Sequence, residues 1–408
     1  FVVLLGLGGG FAAGPAAAAP GVPDAPTVLF AEDFSNGAPA EGRVAPALLG
    51  SYASATTDGG SPVTFTASPG WLNYDDCNGL ILSAQSTAIT SGPGAGCSAN
   101  GFTNTRALAR AASGSTTGSA LAAYTNLIDI TDSPSLEFRT VGAPINVAAG
   151  RFVVASLDAA AYNCAGSGGS APAYRFSVLD DQGASLPLYA GTGAINPCGA
   201  PGTPTTITGC VAGSCAGYRG TFPSTRSVLV SGTKLGLQLI NTNTSHVGND
   251  AAVSNIKVLD GTPKLDVAFA PETVDVTAAD STLTFTITNT TDRAAKSGWA
   301  FAASLPQGLS VASGAATTSC TDAAAPSAPA ITATSGATSV AITNGNLAAG
   351  SISCTVTIPV TAPAEGSYTV ATADVTGLVG LRAPSSATLT VGPAPTPTPV
   401  PTPTPVAT

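Results

Sequence analysis

From residue 27 to residue 260 the chain is a succession of short runs in which apolar residues recur at every second position or fill a brief block. VLFAEDF, VTFTA, GLILSA, SLEFRTV, RFVVASLDA, YRFSVLD, SVLVS, KLGLQLI and AAVSNIKVLD are the clearest. Gly, Ser, Pro and Asn clusters separate them, as turns separate antiparallel strands. That many strands over such a length predicts a jelly-roll-like β-sandwich. Residues 264–391 alternate more strictly: TLTFTITN, SISCTVTIPV, GSYTVATADV and SATLTV, with LDVAF, WAFAASLP and TSVAIT, give about seven strands and predict an Ig-like β-sandwich. The two regions meet within residues 249–269. Val253, Ile256 and Val258 supply a closing strand, Gly261-Thr262-Pro263 interrupts it, and Leu265, Val267 and Phe269 resume the alternation, so a hinge is expected there. Gly and Pro scattered through the windows disfavour long helices, and the expected fold class is all-β.

The two ends read differently. Residues 1–19 open with an apolar core and close with small residues, as a secretory signal does; a membrane anchor fits less well because Gly and Pro interrupt the apolar part well short of about 20 residues. The chain holds no Met, so Phe1 is not an initiator and the signal is read as truncated at its start. Residues 20–26 then form a short flexible leader. Residues 392–408 are nearly alternating Pro and Thr without charge, which predicts an extended polyproline-II stalk of roughly 50 Å.

Composition narrows the classes of function. Only 9% of the 408 residues are charged and 6% aromatic, yet mean hydropathy is +0.31, which sets the chain apart from disordered sequences. A net charge of -9 without any basic run excludes nucleic acid and anionic membranes as partners. Eight cysteines stand at 77, 97, 164, 198, 210, 215, 320 and 354, six before the junction and two after it. No C-x2-C pair occurs and His246 has no cysteine near it, so disulfides are favoured over a zinc site, and with them an oxidising compartment. Cys77 with Cys97 would close the loop after Trp71, Cys164 with Cys198 would tie two loops, and Cys210 with Cys215 would make a local clip. Six cysteines nevertheless allow 15 pairings. In the second region Cys320 and Cys354 have only each other.

FAEDFSNG, GWLNYDDCNG and GNDAAVSNIKVLD resemble the start, middle and end of extracellular jelly-roll modules of the carbohydrate-binding and MAM-like type. The resemblance implies a structural Ca²⁺ held by carboxylates of the first and last strands, here Glu32, Asp33 and Asp250. Ser254 departs from the acid common in the closing motif. The run DVAFAPETVDVTAADSTLTFTITNTTDRAA, followed by LPQGLSVASG and by Cys354 on a strand before EGSYTV, resembles the Ig-like repeat of bacterial exported surface proteins, a family of unknown molecular function. It departs at Ala303-Ser304, where an acid is usual.

Little else suggests chemistry. His246 lies in a polar stretch with no G-x-S-x-G nucleophile motif, and paired cysteines leave no free thiol. Adjacent carboxylates at Glu32-Asp33, Asp75-Asp76 and Asp180-Asp181 point to opposite faces of a strand, which does not make the opposed pair of a glycosidase; Asp180-Asp181-Gln182-Gly183 reads as a hairpin turn. Trp71 and Tyr74 beside Asp75 and Asp76 could present an aromatic platform with carboxylates to a sugar ring, or Trp71 could pack in the core while the acids cap a loop. The expectation is a non-catalytic exported surface protein, monomeric or part of a surface array, whose first domain binds a glycan or a surface protein. A ligand-free structural spacer is the alternative and an extracellular hydrolase the third.

Overall fold

A computed structural model describes residues 19–56, 61–73, 75–88, 97–125, 135–162, 164, 171–189, 194–243 and 248–394. The expected signal apart from Ala19, Tyr74, His246 and the tail beyond 394 lie outside the described residues. As expected, the chain is all-β and built as two successive sandwiches.

In chain order the longer strands of the first sandwich are β1 (Thr27–Glu32), β2 (Pro62–Thr66), β3 (Leu80–Ser83), β4 (Ser119–Ala123), β5 (Ser135–Thr140) and β6 (Arg151–Tyr162). They continue with β7 (Tyr174–Leu179), β8 (Thr203–Thr208), β9 (Ser214–Pro223), β10 (Lys234–Asn241) and β11 (Ala251–Asp260). One sheet runs β8–β9–β6–β11–β4–β3, with β1 added antiparallel along the second half of β11; the facing sheet is centred on β7–β10–β5–β2. Between them lies a core whose spine is a chain of rings, Phe34, Tyr52, Phe65, Phe138 and Phe176, with successive centroids 5.8 to 6.3 Å apart.

The structure departs from the sequence reading most plainly in helix α1 (Ala99–Ser113). Ser98 caps it, its hydroxyl accepting from Gly101 N–H, and Gly114 ends it at φ +69°, where a side chain is strained. Between Phe102 and Ser113 there is no Gly or Pro, and Phe102, Thr105, Leu108, Ala109 and Ala112 recur at helical spacing and are buried. The helix lies on the outer face of the first sheet over Ala120, Ala122, Ala160 and Ala252, whose small side chains let it approach closely. A second small core forms beneath it, closed by two disulfides.

The four disulfides are Cys77–Cys97, Cys164–Cys198, Cys210–Cys215 and Cys320–Cys354, with Cα separations between 4.9 and 6.2 Å. The first joins the loop after Trp71 to the start of α1, and the third closes the β8–β9 turn, whose Val211 N–H donates to Asn104 Oδ1 on α1.

The second sandwich contains β12 (Lys264–Ala270), β13 (Asp280–Thr288), β14 (Lys296–Ser304), β15 (Ser339–Leu347), β16 (Ser353–Thr361), β17 (Gly366–Val370), β18 (Val375–Val379) and β19 (Ala387–Gly392). A β12–β13–β16 sheet faces a β15–β14–β18 sheet, and β19 with β17 closes one side. Trp299, Phe285 and Phe301 fill the middle, and Cys320–Cys354 bridges into it.

The junction is braced, which corrects the expected hinge. Phe152 of β6 packs into the core of the second sandwich, its N–H donates to the buried Thr262 Oγ1, and its carbonyl accepts from Gly261 N–H. Gly380 N–H donates to Gly150 O, and Ser227 Oγ donates to Ala295 O. The leader is held as well: Asp24 Oδ2 pairs with Arg382 Nη2 at 2.8 Å, and its carbonyl accepts from Thr291 N–H. Residues 20–26 are therefore a strap across the second sandwich rather than a free leader.

Candidate functional site

The expected sugar platform does not form at Trp71. Its indole is 2% exposed and belongs to the main core, so no ring face is presented to a ligand there. Tyr74 lies outside the described residues. The loop around it closes by paired backbone hydrogen bonds between Asn73 and Asn78. Asp75 is exposed and takes its turn from Asn73 Oδ1, which accepts from Asp75 N–H; Asp76 accepts from Asn73 Nδ2. The acids shape a loop, and Trp71 anchors it from below.

The expected calcium set is also split. Glu32 pairs in register with Ile256, while Asp250 stands just before β11 begins, six residues from Ile256 and about 20 Å away at strand rise. Asp33 Oδ1 accepts from Ser35 N–H and Oγ–H, and Asp250 Oδ1 accepts from Thr125 N–H. Glu32 is buried; its Oε1 accepts from Tyr52 Oη at 2.8 Å and from Phe34 N–H. Burial pushes its carboxyl up to about 7, against those hydrogen bonds and with Asp33 adding repulsion. These three residues do not fit a shared cation, and among the described residues no group of three or more His, Cys, Asp or Glu side chains could hold one.

A second buried carboxyl, Glu137 on β5, was not singled out by sequence. Burial drives it up to about 8, partly offset by hydrogen bonds with Asn241 and Tyr174. Tyr174 is raised in turn, first by burial and then by Glu137. The pair lies within the sandwich and has a structural role.

A concave surface among the described residues of the first sandwich lies elsewhere, where the C-terminal half of α1 meets the outer face of β8, β9 and β6. Register fixes which side chains share that face: Thr203 is opposite Arg219, Arg219 opposite Ala160, and Thr221 opposite Asp158. Two lobes open there, of about 260 and 470 Å³, and share Ala111, Thr205 and Arg219. The first is walled by Arg110, Ser115, Thr116, Thr206 and Thr208; the second runs over Ala112, Ala159 and Gly220 towards Thr203, Thr221 and Asp158. Asp158 is held by Thr221 Oγ1 at 2.5 Å and Asn255 Nδ2 at 2.8 Å. Arg219 reaches towards the helix end, with Nη2 3.2 Å from where a β-carbon at Gly114 would stand.

The floor is small residues and the walls are hydroxyls and guanidinium groups, a surface that can hydrogen-bond a polar ligand along its length. Sequence reasoning missed Arg110, Asp158, Thr203, Thr205, Arg219 and Thr221 because the groove needs α1 and the β8–β9 hairpin, and neither was expected. The signal available was Ser98 and Gly114 bracketing a Gly-free amphipathic run.

No curated protein matches the chain. Among solved structures, the N-terminal domain of the Streptococcus gordonii adhesin Sgo0707 is 10% identical, with 67% of this chain and 74% of that one covered at a TM-score of 0.25. The collagen adhesin of S. aureus is 8% identical over 63% and 86% at 0.22, and the CBM22-1-CBM22-2 tandem of Paenibacillus barcinonensis Xyn10C is 11% identical over 85% and 92% at 0.20. At such TM-scores neither ligand nor activity passes across to this chain. Residues 263–391, the second sandwich, match a family model described as a domain of unknown function, DUF7933.

Proposed function

We propose that this protein is an exported, non-catalytic surface protein whose first sandwich binds carbohydrate in the groove between α1, β8 and β9, displayed outward by the second sandwich and the Pro-Thr tail. The observation that carries this reading is the groove itself: hydroxyl and guanidinium walls over an Ala and Gly floor, on a sheet face held rigid by the helix and two disulfides. Four disulfides with no free cysteine among the described residues support an oxidising compartment outside the cytosol. The adjacent acids support a binding rather than a hydrolytic role, since Asp33, Asp76 and Asp180 each serve their own loop; Asp180 Oδ1 accepts from Gln182 and Ala184 N–H in the β7 hairpin turn.

The test is binding of the whole chain to a broad glycan and cell-wall panel, beside an Ala111→Trp variant that fills the groove. Saturable binding lost in the variant, at unchanged melting temperature, supports the reading; a folded chain that binds nothing removes it. A spacer is the second reading, and one observation favours it. The outer face of the β13–β16 pair carries a lattice of threonines, Thr284 opposite Thr357 and Thr286 opposite Thr355, with a charge only at its end, where Asp280 stands opposite Thr361.

A further inference from the structure

Neither guanidinium in the groove is neutralised. Arg110, in the last turn of α1, and Arg219, on β9, are exposed and have no ion-pair or side-chain hydrogen-bond partner among the described residues. Arg43, Arg106, Arg139, Arg151 and Arg382, by contrast, each bond a carbonyl or a carboxylate. The C-terminus of α1 offers only about half a negative charge to the two arginines beside it. The groove therefore keeps local positive potential at its helix end within a chain of net charge -9.

Among the described residues no aromatic lines either lobe, so a neutral sugar would find no ring there on which to stack and would depend on hydroxyl contacts. A carboxylate or sulfate, in contrast, matches the fork of a guanidinium, and such charge-assisted hydrogen bonds are roughly twice as strong as neutral ones. Asp158 closes the far end of the second lobe, which repels an anion there. The groove is thus polarised, with Arg110 in the first lobe, Arg219 shared by both, threonine hydroxyls in each and a carboxylate in the second.

We propose that the ligand is an acidic saccharide, its carboxylate or sulfate held by Arg110 and Arg219 and its hydroxyls by Thr203, Thr205 and Thr221. This rests on the carbohydrate reading above and adds the charge of the ligand to it. The lobes together fall within the size range of small-ligand sites, about 300 to 1,000 Å³. The acidity of the protein as a whole opposes non-specific capture of a polyanion, so binding of one reports the groove.

The test is titration calorimetry of the full chain with four probes: hexagalacturonate, its methyl ester, a heparin-derived hexasaccharide and hexaglutamate. Binding of either acidic saccharide, with at least tenfold weaker affinity for the methyl ester and in both Arg110→Ala and Arg219→Ala, is the expected result. Affinity should fall as salt rises from 50 to 500 mM, and Arg175→Ala, an exposed arginine on the other sheet, should bind like the parent. Hexagalacturonate against heparin separates uronate from sulfate as the source of the anion. Equal binding of the methyl ester overturns the acidic-saccharide assignment and leaves the carbohydrate reading standing. Equal binding of hexaglutamate overturns it in favour of an acidic protein partner. Acidic-saccharide binding indifferent to both arginine variants overturns the site, and a folded chain that binds no saccharide overturns both readings.

Discussion

The indole of Trp71 lies beneath Gly79: a β-carbon on Gly79 would stand 3.1 Å from Cζ3 of the ring and 2.8 Å from Leu72 Cδ2. Gly79 also has φ +70°, a region that side chains rarely adopt. The Trp71 loop is therefore a packed support. Trp71→Ala is expected to cost about 3 to 5 kcal/mol, as truncation of a buried aromatic does, and Gly79→Ala about 1 to 3 kcal/mol through overpacking. Neither should change saccharide affinity of the protein that remains folded. Urea unfolding and calorimetry on the same samples check this; reduced affinity of Trp71→Ala at full stability would restore the indole as a ligand platform.

Period-2 alternation made the strands legible because a half-buried strand has to alternate. All nine runs named in the first region coincide with strands or overlap them, and β13, β16 and β19 of the second can be read directly from the order of residues. Alternation carries no information about which face a helix will cover, so the groove was hidden. The two readings of Trp71 stayed open for a similar cause: an aromatic beside acids looks the same whether it points outward or, as here, lies under a glycine that only the fold places above it. The Cys77–Cys97, Cys164–Cys198 and Cys210–Cys215 pairs were among the pairings considered, but spacing could not choose among 15 possibilities.

The disulfides are expected to differ in worth with the length of chain they close. In the chain-entropy account, Cys320–Cys354, separated by 34 residues, contributes roughly 4 kcal/mol, and Cys210–Cys215, separated by 5, roughly 2 kcal/mol. Replacing both members of each pair with serine and comparing urea midpoints tests the order. Equal losses would mean that local packing of the β8–β9 turn against Asn104, rather than loop closure, sets the value of the short bridge.

The first sandwich should lose stability as pH rises from acid to mildly alkaline values. Glu137 in the folded chain keeps its proton up to about pH 8 and Glu32 up to about pH 7, whereas both release it near 4.5 when unfolded. Between those limits the folded state binds more protons, so this contribution is fully present below about pH 4.5 and lost as pH passes the folded values. Each group gives a slope of about 1.4 kcal/mol per pH unit while only its unfolded form is ionised. Glu137→Gln, which keeps an acceptor for Tyr174 and Asn241, should flatten the profile between pH 4.5 and 8. A variant whose profile superimposes on the parent would show that the carboxyl ionises freely in the folded chain.

The second sandwich should be most sensitive at Lys296, whose side chain is fully buried. Its ammonium donates to Asn289 Oδ1 at 2.7 Å, Asp292 Oδ1 at 2.8 Å and Ala294 O at 3.3 Å, one acceptor for each proton. Burial lowers its pKa, and Asp292 opposes that shift. Asp292→Ala removes the anion and leaves the cation buried with two neutral acceptors, a change expected to cost about 3 to 5 kcal/mol. Lys296→Met removes the buried charge itself. The Asp292 carboxylate left behind is partly exposed and still accepts from Thr290 Oγ1 and Ala294 N–H, so the loss should be smaller. The order Asp292→Ala worse than Lys296→Met, measured by denaturant unfolding, is the signature of a pair held together by the cost of stranding its cation. The reverse order would mean that the lysine stem and its contacts with Asn289 and Ala294, rather than the charge pair, hold the β13–β14 crossover in place.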